Sequence, residues 1–313
     1  VSLFKHMAQM PWTNHTSITK FILLGFGNLN EVQILLFVVF LVIYIVTLAG
    51  NLLIVALVVA DQHLHTPMYF FLGNLSFLET CYTSVSVPRL LSGLLVEDRT
   101  ISFRDCITQL FFLSALACIE CFLLAVMAYD RYLAICNPLN YNVMMNLRVL
   151  GIWASGFLIS LPHTLSLLRL SFCGPNIINH FFCELPPLLQ LSCSDTGYNQ
   201  TLALVTDVFL GIGCFLLTLL SYVYIVSSVL KIQSAAGKRK AFSTCSSHVM
   251  VVTLFYSTVI YTYVRPPSAY LDRDKAVAAL YTMVTPLVNP LIYSLRNKEV
   301  KEAFKKLMGG NRG

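Results

Sequence analysis

The stretch MAYDRYLAIC, Met127 to Cys136, ends an apolar run that begins near Ile107. About twenty lipid-compatible residues run out where Asp130 and Arg131 stand side by side, so we expect this charge pair at a membrane face. Two interpretations are open. The pair is either an ordinary ion pair at a helix end, or a switch in which Asp130 holds Arg131 until helix packing changes and frees the guanidinium.

The composition of the whole chain indicates that lipid is its solvent. Of its 313 residues, 57% are apolar and 12% are charged, whereas soluble domains carry about 25% charged residues. Seven runs are each long enough to cross a bilayer as a helix. They lie at about Val32 to Val59, Pro67 to Leu91, Ile107 to Tyr129, Val149 to Leu168, Leu202 to Leu230, Ala241 to Val264 and Val277 to Leu295. We predict an all-α membrane protein, a single seven-transmembrane helix bundle in residues 32–295.

Basic residues set the expected orientation of this bundle. Lys and Arg crowd the segment between the fifth and sixth runs and the segment after the seventh, which places both in the cytoplasm. Residues 1–31 are then an extracellular tail, and residues 296–313 are cytoplasmic. The net charge of +6 is explained by this topology and by contact with anionic membrane lipid, so no nucleic-acid partner is predicted.

The two ends of the chain carry separate signals. Residues 1–31 lack a long hydrophobic signal core, and we expect a short, exposed tail. The tail contains the sequon Asn14-His15-Thr16, so we predict that Asn14 is glycosylated. From Arg296 to Leu307, apolar residues share one side and lysines the other, which predicts a short amphipathic helix on the cytoplasmic membrane surface.

Three acids fall inside the predicted spans. Glu79 and Glu120 lie at mid-membrane depth, where an unpaired charge is costly, so they need a cation, a proton or each other. Two carboxylates with Ser and Asn nearby suit a hard cation, and two close carboxylates can also share one proton. Asp207, in the outer part of the fifth run, either contacts a ligand amine or is paired with Arg169 or Arg265 or hydrated.

The chain has ten cysteines, and in an exported protein disulfides are expected before metal sites. Six lie in or at the ends of spans and are predicted to be packing thiols. The four in extracellular segments allow three pairings. They are Cys106, Cys173, Cys183 and Cys193.

Four separated strings resemble signatures of the odorant receptors, a branch of the rhodopsin-like G-protein-coupled receptors. They are LHTPMYFFLGNLSFLE (Leu64 to Glu79), MAYDRYLAIC, KAFSTCSSH (Lys240 to His248) and PLVNPLIYSLRNKEVKEA (Pro286 to Ala303). The resemblance extends from about Phe21 to Lys305. It implies a class II-like odorant receptor, multi-pass in the plasma membrane, with its N-terminus outside and its C-terminus in the cytoplasm. The implied partners are a small volatile odorant and a heterotrimeric G protein of the stimulatory olfactory type, which raises cyclic AMP.

The resemblance also assigns the extracellular cysteines. It pairs Cys106 with Cys183 and Cys173 with Cys193. Each bridge would restrict the loop that roofs the bundle, by about 2 to 4 kcal/mol on loop-closure reasoning.

Two ion sites follow from the same resemblance. Glu79 and Glu120 match positions that face one another and hold a sodium ion in related receptors. His180 and Glu184 belong to a string that resembles a proposed copper site, and imidazole and carboxylate are suitable ligands. However, Cys183 is assigned to a disulfide and then cannot supply a thiolate. Structural packing of the loop is therefore the alternative.

A ligand pocket is implied in the outer part of the bundle, beneath the second extracellular loop. The positions that match the pocket of related receptors are mostly apolar, which favours a small hydrophobic ligand held by shape and dispersion. Ser114, Thr206 or Tyr263 would supply one or two hydrogen bonds, whereas His163 is predicted to be a satisfied core imidazole. The predicted lining consists of Leu113, Ser114, Ala117, Cys118, Cys121, Ala203, Thr206, Asp207, Leu210, Tyr256, Val259, Ile260, Tyr263, Ala279, Thr282 and Met283.

An activation switch is implied at the cytoplasmic side. Tyr222 is expected to reach Arg131 once the sixth helix moves. His248 is either a bridge whose protonation biases the switch or a packing residue. Asn289-Pro290 interrupts the helix ladder and lets Tyr293 swing inward. The full predicted set is Asp130, Arg131, Tyr132, Tyr222, His248, Tyr256, Asn289, Pro290 and Tyr293.

Two other classes of protein fit the sequence less well than a receptor. A channel or transporter would line a polar path with Glu79, Glu120 and Asp207, but these acids lie at different depths and no internal repeat is evident. An intramembrane enzyme would need a catalytic motif, and the spans hold no evident GxSxG, HExxH or paired-Asp protease motif. We therefore predict a receptor that is not an enzyme and has no cofactor apart from the sodium ion.

Overall fold

The structure is a computed structural model that describes residues 18–26, 32–96, 99–137, 146–173, 175–263, 272–296 and 298–309. It confirms the predicted seven-helix bundle, with a small sheet added on the outer side. In chain order the helices are α1 (Gln33–Ala60), α2 (Pro67–Leu95), α3 (Phe103–Cys136), α4 (Asn146–Leu167), α5 (Leu185–Leu189), α6 (Gly197–Asp207), α7 (Gly213–Lys231), α8 (Ala235–Tyr263), α9 (Asp272–Ala279), α10 (Thr285–Arg296) and α11 (Lys298–Gly309).

Two of the predicted spans are each built from a pair of helices. The fifth consists of α6 and α7, joined by a π-helical turn at Val208–Ile212, and the seventh consists of α9 and α10, joined by one at Leu280–Val284. Pro290 lies inside α10, which continues to Arg296. The backbone irregularity of the seventh span therefore lies before Asn289-Pro290, in the π-helical turn.

The outward faces of the helices are apolar, as expected where lipid is the solvent. Ile34 and Phe209, for example, are 72% and 76% exposed. Among the described residues, four helical stretches are long and apolar enough by themselves to qualify as membrane spans. They are Gln33–Ala60, Phe103–Cys136, Val149–Leu167 and Gly197–Lys231.

Gly156 of α4 allows this helix to approach α3 closely. A Cβ atom on Gly156 would overlap the side chain of Ile119 and lie 2.9 Å from the Ala115 carbonyl oxygen. Small residues commonly allow such close approach in membrane bundles. The position of α4 against α3 is therefore fixed by the absence of one side chain.

A three-stranded sheet covers the outer end of the bundle. Its strands are β1 (Lys20–Leu23), β2 (Thr100–Ser102) and β3 (Ile177–Ile178), in the order β2-β1-β3. β1 pairs with β2 in antiparallel fashion and with β3 in parallel fashion. The sheet thus joins the N-terminal segment to the segment before α3 and to the long segment between α4 and α6.

A hydrophobic cluster fixes this sheet to the loop around it. Phe21 is fully buried, and its ring centroid lies 6.0 Å from that of Phe103 and 5.6 Å from that of Phe172. The prediction of an exposed tail is therefore wrong for Lys20–Leu23, because alternate side chains of this strand enter the cluster. The predicted glycosylation site, Asn14, lies outside the described residues.

Two disulfides complete this outer layer, which we call the lid and define as residues 18–26, 99–102, 170–173 and 175–193. Cys106 is bonded to Cys183 and Cys173 to Cys193, with Cα–Cα separations of 5.4 and 5.9 Å. The first bridge ties the lid to α3. The second closes a loop within the lid.

Candidate functional site

The lid is positioned over the bundle by the side chain of Gln109 in α3. The Cys183 backbone N–H donates to Gln109 Oε1 at 3.0 Å, and Gln109 Nε2 donates to the Val85 carbonyl oxygen of α2, also at 3.0 Å. One buried amide therefore connects the lid, α3 and α2. Gln109 is not among the residues predicted from the sequence, although a lone amide in the apolar run after Cys106 is a usable signal.

Below the lid, three of the predicted pocket residues meet. Cys121 Sγ of α3 lies 3.7 Å from the Leu210 carbonyl oxygen in the π-helical turn and 3.7 Å from the Tyr256 hydroxyl of α8. The Tyr256 ring also contacts Phe215, with a centroid separation of 5.2 Å. The third, fifth and sixth spans thus converge on a mostly apolar floor that carries the Tyr256 phenol and the paired thiols of Cys121 and Cys214.

The other predicted lining residues lie at different depths around this floor. Ile260 is 49% exposed and shares an outward stripe of α8 with Thr253 and Ser257, so its assignment to the pocket is corrected. The side chain of Tyr263 lies outside the described part of the chain. Buried positions are Leu113, Cys121, Tyr256, Thr282 and Met283; half-buried positions are Ser114, Ala117, Cys118, Ala203, Thr206, Leu210, Val259 and Ala279.

Thr206 is already engaged within the protein. Its hydroxyl donates to the Leu202 carbonyl oxygen at 2.8 Å, and it lies 2.9 Å from His163 Nε2. Because the single hydroxyl proton is used toward Leu202, the imidazole must be the donor in the second contact. His163 is thus a hydrogen-bonded core residue, as predicted. A ligand that binds Thr206 has to replace one of these bonds.

Asp207 lies on the more exposed side of α6. Among the described residues it forms no ion pair with Arg169, and Arg265 lies outside them. The carboxylate is close enough to the half-buried Cys118 of α3 to interact with it electrostatically. Pairing with Arg169 is therefore excluded as the explanation for this acid.

Glu79 lies in a polar cluster where α1, α2 and α10 meet. Asn289 Nδ2 donates to Glu79 Oε1. Asn51 Nδ2 donates to the Thr47 and Pro286 carbonyl oxygens at 3.1 and 3.0 Å. The acid is almost completely buried, and its environment is set by side chains from helices that are far apart in sequence.

Several oxygens of this cluster have no hydrogen-bond partner within the described residues. They are Glu79 Oε2, Asn51 Oδ1, Asn289 Oδ1 and the Tyr293 hydroxyl. Glu120 is buried as well and acts electrostatically on Glu79. Carboxylate and amide oxygens suit a hard cation or ordered water. No group of three or more His, Cys, Asp or Glu in the described part of the chain could hold a metal ion, so amide oxygens would have to complete a cation site here.

His180 is packed inside the lid. The Phe182 N–H donates to His180 Nδ1 at 3.3 Å, which leaves the proton on Nε2, 3.5 Å from Glu184 Oε2. The rings of Phe181 and Phe182 lie 4.5 and 4.3 Å away. Burial, reinforced by the nearby Lys275 ammonium, lowers the pKa of His180 to about 3. This geometry favours structural packing over copper binding, since Cys183 is oxidised and His180 is enclosed.

At the end of the bundle away from the lid, three of the predicted switch residues lie near Arg131: Tyr222, His248 and Tyr293. Arg131 and Asp130 are both buried. The Tyr222 hydroxyl lies 2.6 Å from His248 Nδ1. The guanidinium of Arg131 acts electrostatically on Tyr222, His248 and Tyr293. The structure therefore brings the third, fifth, sixth and seventh spans together around one cation.

The neighbouring Tyr132 is stacked with other tyrosines. Its ring lies 5.9 Å from Tyr129 in α3 and 5.7 Å from Tyr224 in α7. It therefore contributes to packing between these helices at the edge of the switch.

Helix α11 is held to the bundle by one side. Val300 and Ala303 are buried, whereas Phe304 and Leu307 are exposed, as expected for a helix that lies on a membrane surface. Lys306 Nζ lies 3.5 Å from Asp61 Oδ2. Hydrogen bonds from His63 hold the pKa of the Asp61 carboxyl below its usual range, with a smaller contribution from Lys306.

Comparisons with known proteins agree with this geometry. A family model described as olfactory receptor matches residues 40–310. The chain is 53% identical over 301 residues to olfactory receptor 5A1 of Homo sapiens, covering 94% of this chain and 96% of that protein. It is 50% identical to olfactory receptor 5AP2 of Mus musculus, covering 94% and 95%. It is also similar in fold to squid rhodopsin, with a TM-score of 0.68 at 16% identity over 89% of this chain and 86% of that one.

Proposed function

Because this chain belongs to the olfactory receptor family, we propose that it binds a small hydrophobic odorant beneath the lid and activates a G protein of the stimulatory olfactory type, raising cyclic AMP. Family membership makes the chain a multi-pass membrane receptor rather than an enzyme. The location of the ligand, the type of G protein and the orientation of the termini are parts of the proposal.

The convergence of Cys121, Leu210 and Tyr256 is the observation that carries the ligand site. It provides an apolar floor at the level where ligand pockets of helix bundles are expected, with few polar groups to fix orientation. Dispersion and shape would then dominate recognition. A ligand that displaces Tyr256 acts directly on α8, the helix that also carries His248.

The cluster around Arg131 supports the signalling half of the proposal. In this arrangement Tyr222 is bonded to His248. Outward movement of α8 would separate this pair and release Tyr222 toward Arg131, opening a cytoplasmic cleft for the G protein. The affinity of the G protein for that open state would set the coupling.

The ligand site is tested by two adjacent substitutions in α8. Val259→Trp should fill the proposed pocket, whereas Ile260→Trp should project outward at nearly the same height. The assay measures cyclic AMP in cells carrying an olfactory-type G protein. We expect neutral volatile odorants to act on Ile260→Trp with the same potency as on the wild type. Their potency on Val259→Trp should be at least tenfold lower. Equal potency of the two variants at equal surface expression would contradict the pocket, and an odorant response that persists without any G protein would contradict the mechanism.

Asp207 is tested on the same odorant panel by Asp207→Asn. A response to amines that is lost in this variant, with neutral odorants unaffected, would make Asp207 a ligand contact. An unchanged amine response would leave it a hydrated residue at the mouth of the fifth span.

We also propose that sodium binds at Glu79, with Asn51 and Asn289 oxygens completing its shell. Ligands of the folded state stabilise it by mass action, so the purified chain should melt a few degrees higher in sodium chloride than in N-methylglucamine chloride of equal ionic strength. The difference should vanish in Glu79→Gln. If the variant retains the full sodium effect, sodium acts elsewhere, and if the wild type shows no sodium effect, the buried acids share a proton instead.

A further inference from the structure

The lid is fastened to the seventh span by a hydrogen bond from Tyr281. The Tyr281 hydroxyl donates to Glu184 Oε1 at 2.8 Å. Glu184 follows Cys183, the cysteine that ties the lid to α3. Tyr281 lies in the π-helical turn Leu280–Val284, directly before Thr282 and Met283 of the predicted pocket. Two adjacent lid residues are therefore attached to two different spans, the third and the seventh.

Burial makes the Tyr281 contact important for Glu184. This carboxylate is 8% exposed, and an ionised group at such a site must be hydrogen-bonded to be tolerated. Tyr281 serves one oxygen, and His180 Nε2 lies 3.5 Å from the other. Loss of the phenol would remove one hydrogen bond from this buried carboxylate and favour movement of Glu184 toward water.

A second contact lies on the same side of the lid. Lys275 Nζ of α9 donates to Asn179 Oδ1 at 2.6 Å. The lid is thus attached to the seventh span by hydrogen bonds and to α3 by a covalent bridge. Because hydrogen bonds break reversibly and the disulfide does not, the lid can separate from the seventh span while Cys106–Cys183 keeps it tied to α3.

We propose that Tyr281 is the positioning residue of this lid: its bond to Glu184 keeps the lid closed over the floor formed at Cys121. The inference rests on the proposed function only in placing a ligand between the lid and that floor. Opening at Tyr281 would move the π-helical turn that carries Thr282 and Met283, so ligand entry and the seventh span would be coupled through one phenol.

The test uses Cys121 as a reporter in the purified full chain in lipid nanodiscs. A membrane-impermeant methanethiosulfonate carrying a trimethylammonium group is applied, and labelling of each cysteine is followed by peptide mass spectrometry. We expect Tyr281→Phe to label Cys121 about tenfold faster than wild type, the effect of losing one hydrogen bond to a charged group. The matched control Tyr198→Phe changes an exposed tyrosine and should have no effect.

Further variants separate a lid contact from general loosening. Glu184→Met should speed labelling as Tyr281→Phe does, the double variant should be no faster than either, and Glu184→Gln, which keeps an acceptor, should fall between wild type and Tyr281→Phe. Cys136, at the cytoplasmic end, should label at the wild-type rate throughout. Wild-type labelling of Cys121 in Tyr281→Phe, equal acceleration at Cys136, or multiplying effects in the double variant would overturn the inference. The labelling assay needs neither odorant nor G protein. Its result can therefore be interpreted even if the signalling proposal fails.

Discussion

At the scale of the residue, His180 shows how burial sets the chemistry of a side chain. It is enclosed by two phenylalanine rings and faces Glu184 and Lys275. An imidazole in such a place is held in its neutral form. The same residue in an exposed loop would have been a reasonable metal ligand.

This enclosure makes the stability of the protein depend on pH. The pKa of His180 is about 3 in the folded chain, against a usual 6.5. Between these two pH values the unfolded state binds a proton on this imidazole and the folded state does not. The stabilisation is complete above pH 6.5 and is lost as pH falls toward 3. Between pH 7.5 and 5.5 we expect the free energy of unfolding to fall by about 1.4 kcal/mol through this group.

The measurement is thermal unfolding in nanodiscs across that pH range. His180→Phe keeps the aromatic packing and removes the titration, so it should lose this part of the pH dependence. His65→Asn, at an exposed position between α1 and α2, should retain it. A pH dependence identical in wild type and His180→Phe would show that other groups are responsible.

Neighbouring residues in α8 show why single pocket positions are hard to predict. Val259 is half-buried, whereas Ile260 belongs to the outward stripe. Both fit a helical spacing from Tyr256, three and four residues on. Only the packing of α8 against its neighbours decides which of the two turns inward, and this packing has no local signal in the sequence.

At the scale of the element, the π-helical turns are the features that hydropathy could not predict. The fifth and seventh runs are continuous in composition, yet each is interrupted by a five-residue turn. Such a turn rotates the direction in which all later side chains of the span point around the helix axis. These turns are frequent at functional sites. Here they carry Leu210 at the floor and Tyr281 at the lid.

Helix α4 permits a direct test of close packing. Gly156→Ala should lower the free energy of unfolding by about 1 to 3 kcal/mol, because the added methyl group overlaps Ile119 and crowds the Ala115 carbonyl oxygen. Gly151→Ala is the matched control on the same helix, with nothing within 4 Å of the added atom. It should be neutral or slightly stabilising. Thermal unfolding of both variants checks the difference, and equal effects would refute the close contact of α3 with α4.

At the scale of the whole molecule, lipid made the architecture predictable. Every backbone group within a bilayer must be satisfied internally, so long apolar runs can only be helices. The seven spans were therefore readable from composition, and the strings around Arg131 and Pro290 gave the family. The lid was not readable, because β1 is too short to show periodicity and its partners lie far along the chain.

The two disulfides should differ in their effect on overall stability. They close loops of 77 and 20 residues, which corresponds to about 4.5 and about 3.3 kcal/mol on chain-entropy reasoning. Replacing both Cys106 and Cys183 by serine should therefore lower the melting temperature more than replacing Cys173 and Cys193. Melting curves of the two double variants give the comparison. The reverse order would mean that lid packing outweighs the entropy of the unfolded chain.

The strand β1 also limits how the gene for this protein can vary in length. Phe21 and Leu23 face the lid cluster while Lys20 is exposed, so side chains in this strand obey a parity rule. If Leu23 keeps its place, an insertion of one codon between Phe21 and Leu23 would turn Phe21 outward and Lys20 into the cluster. An insertion of two codons would restore the alternation. A codon-insertion library sorted for surface expression should therefore be depleted in odd-length insertions at this strand and should retain insertions of two codons.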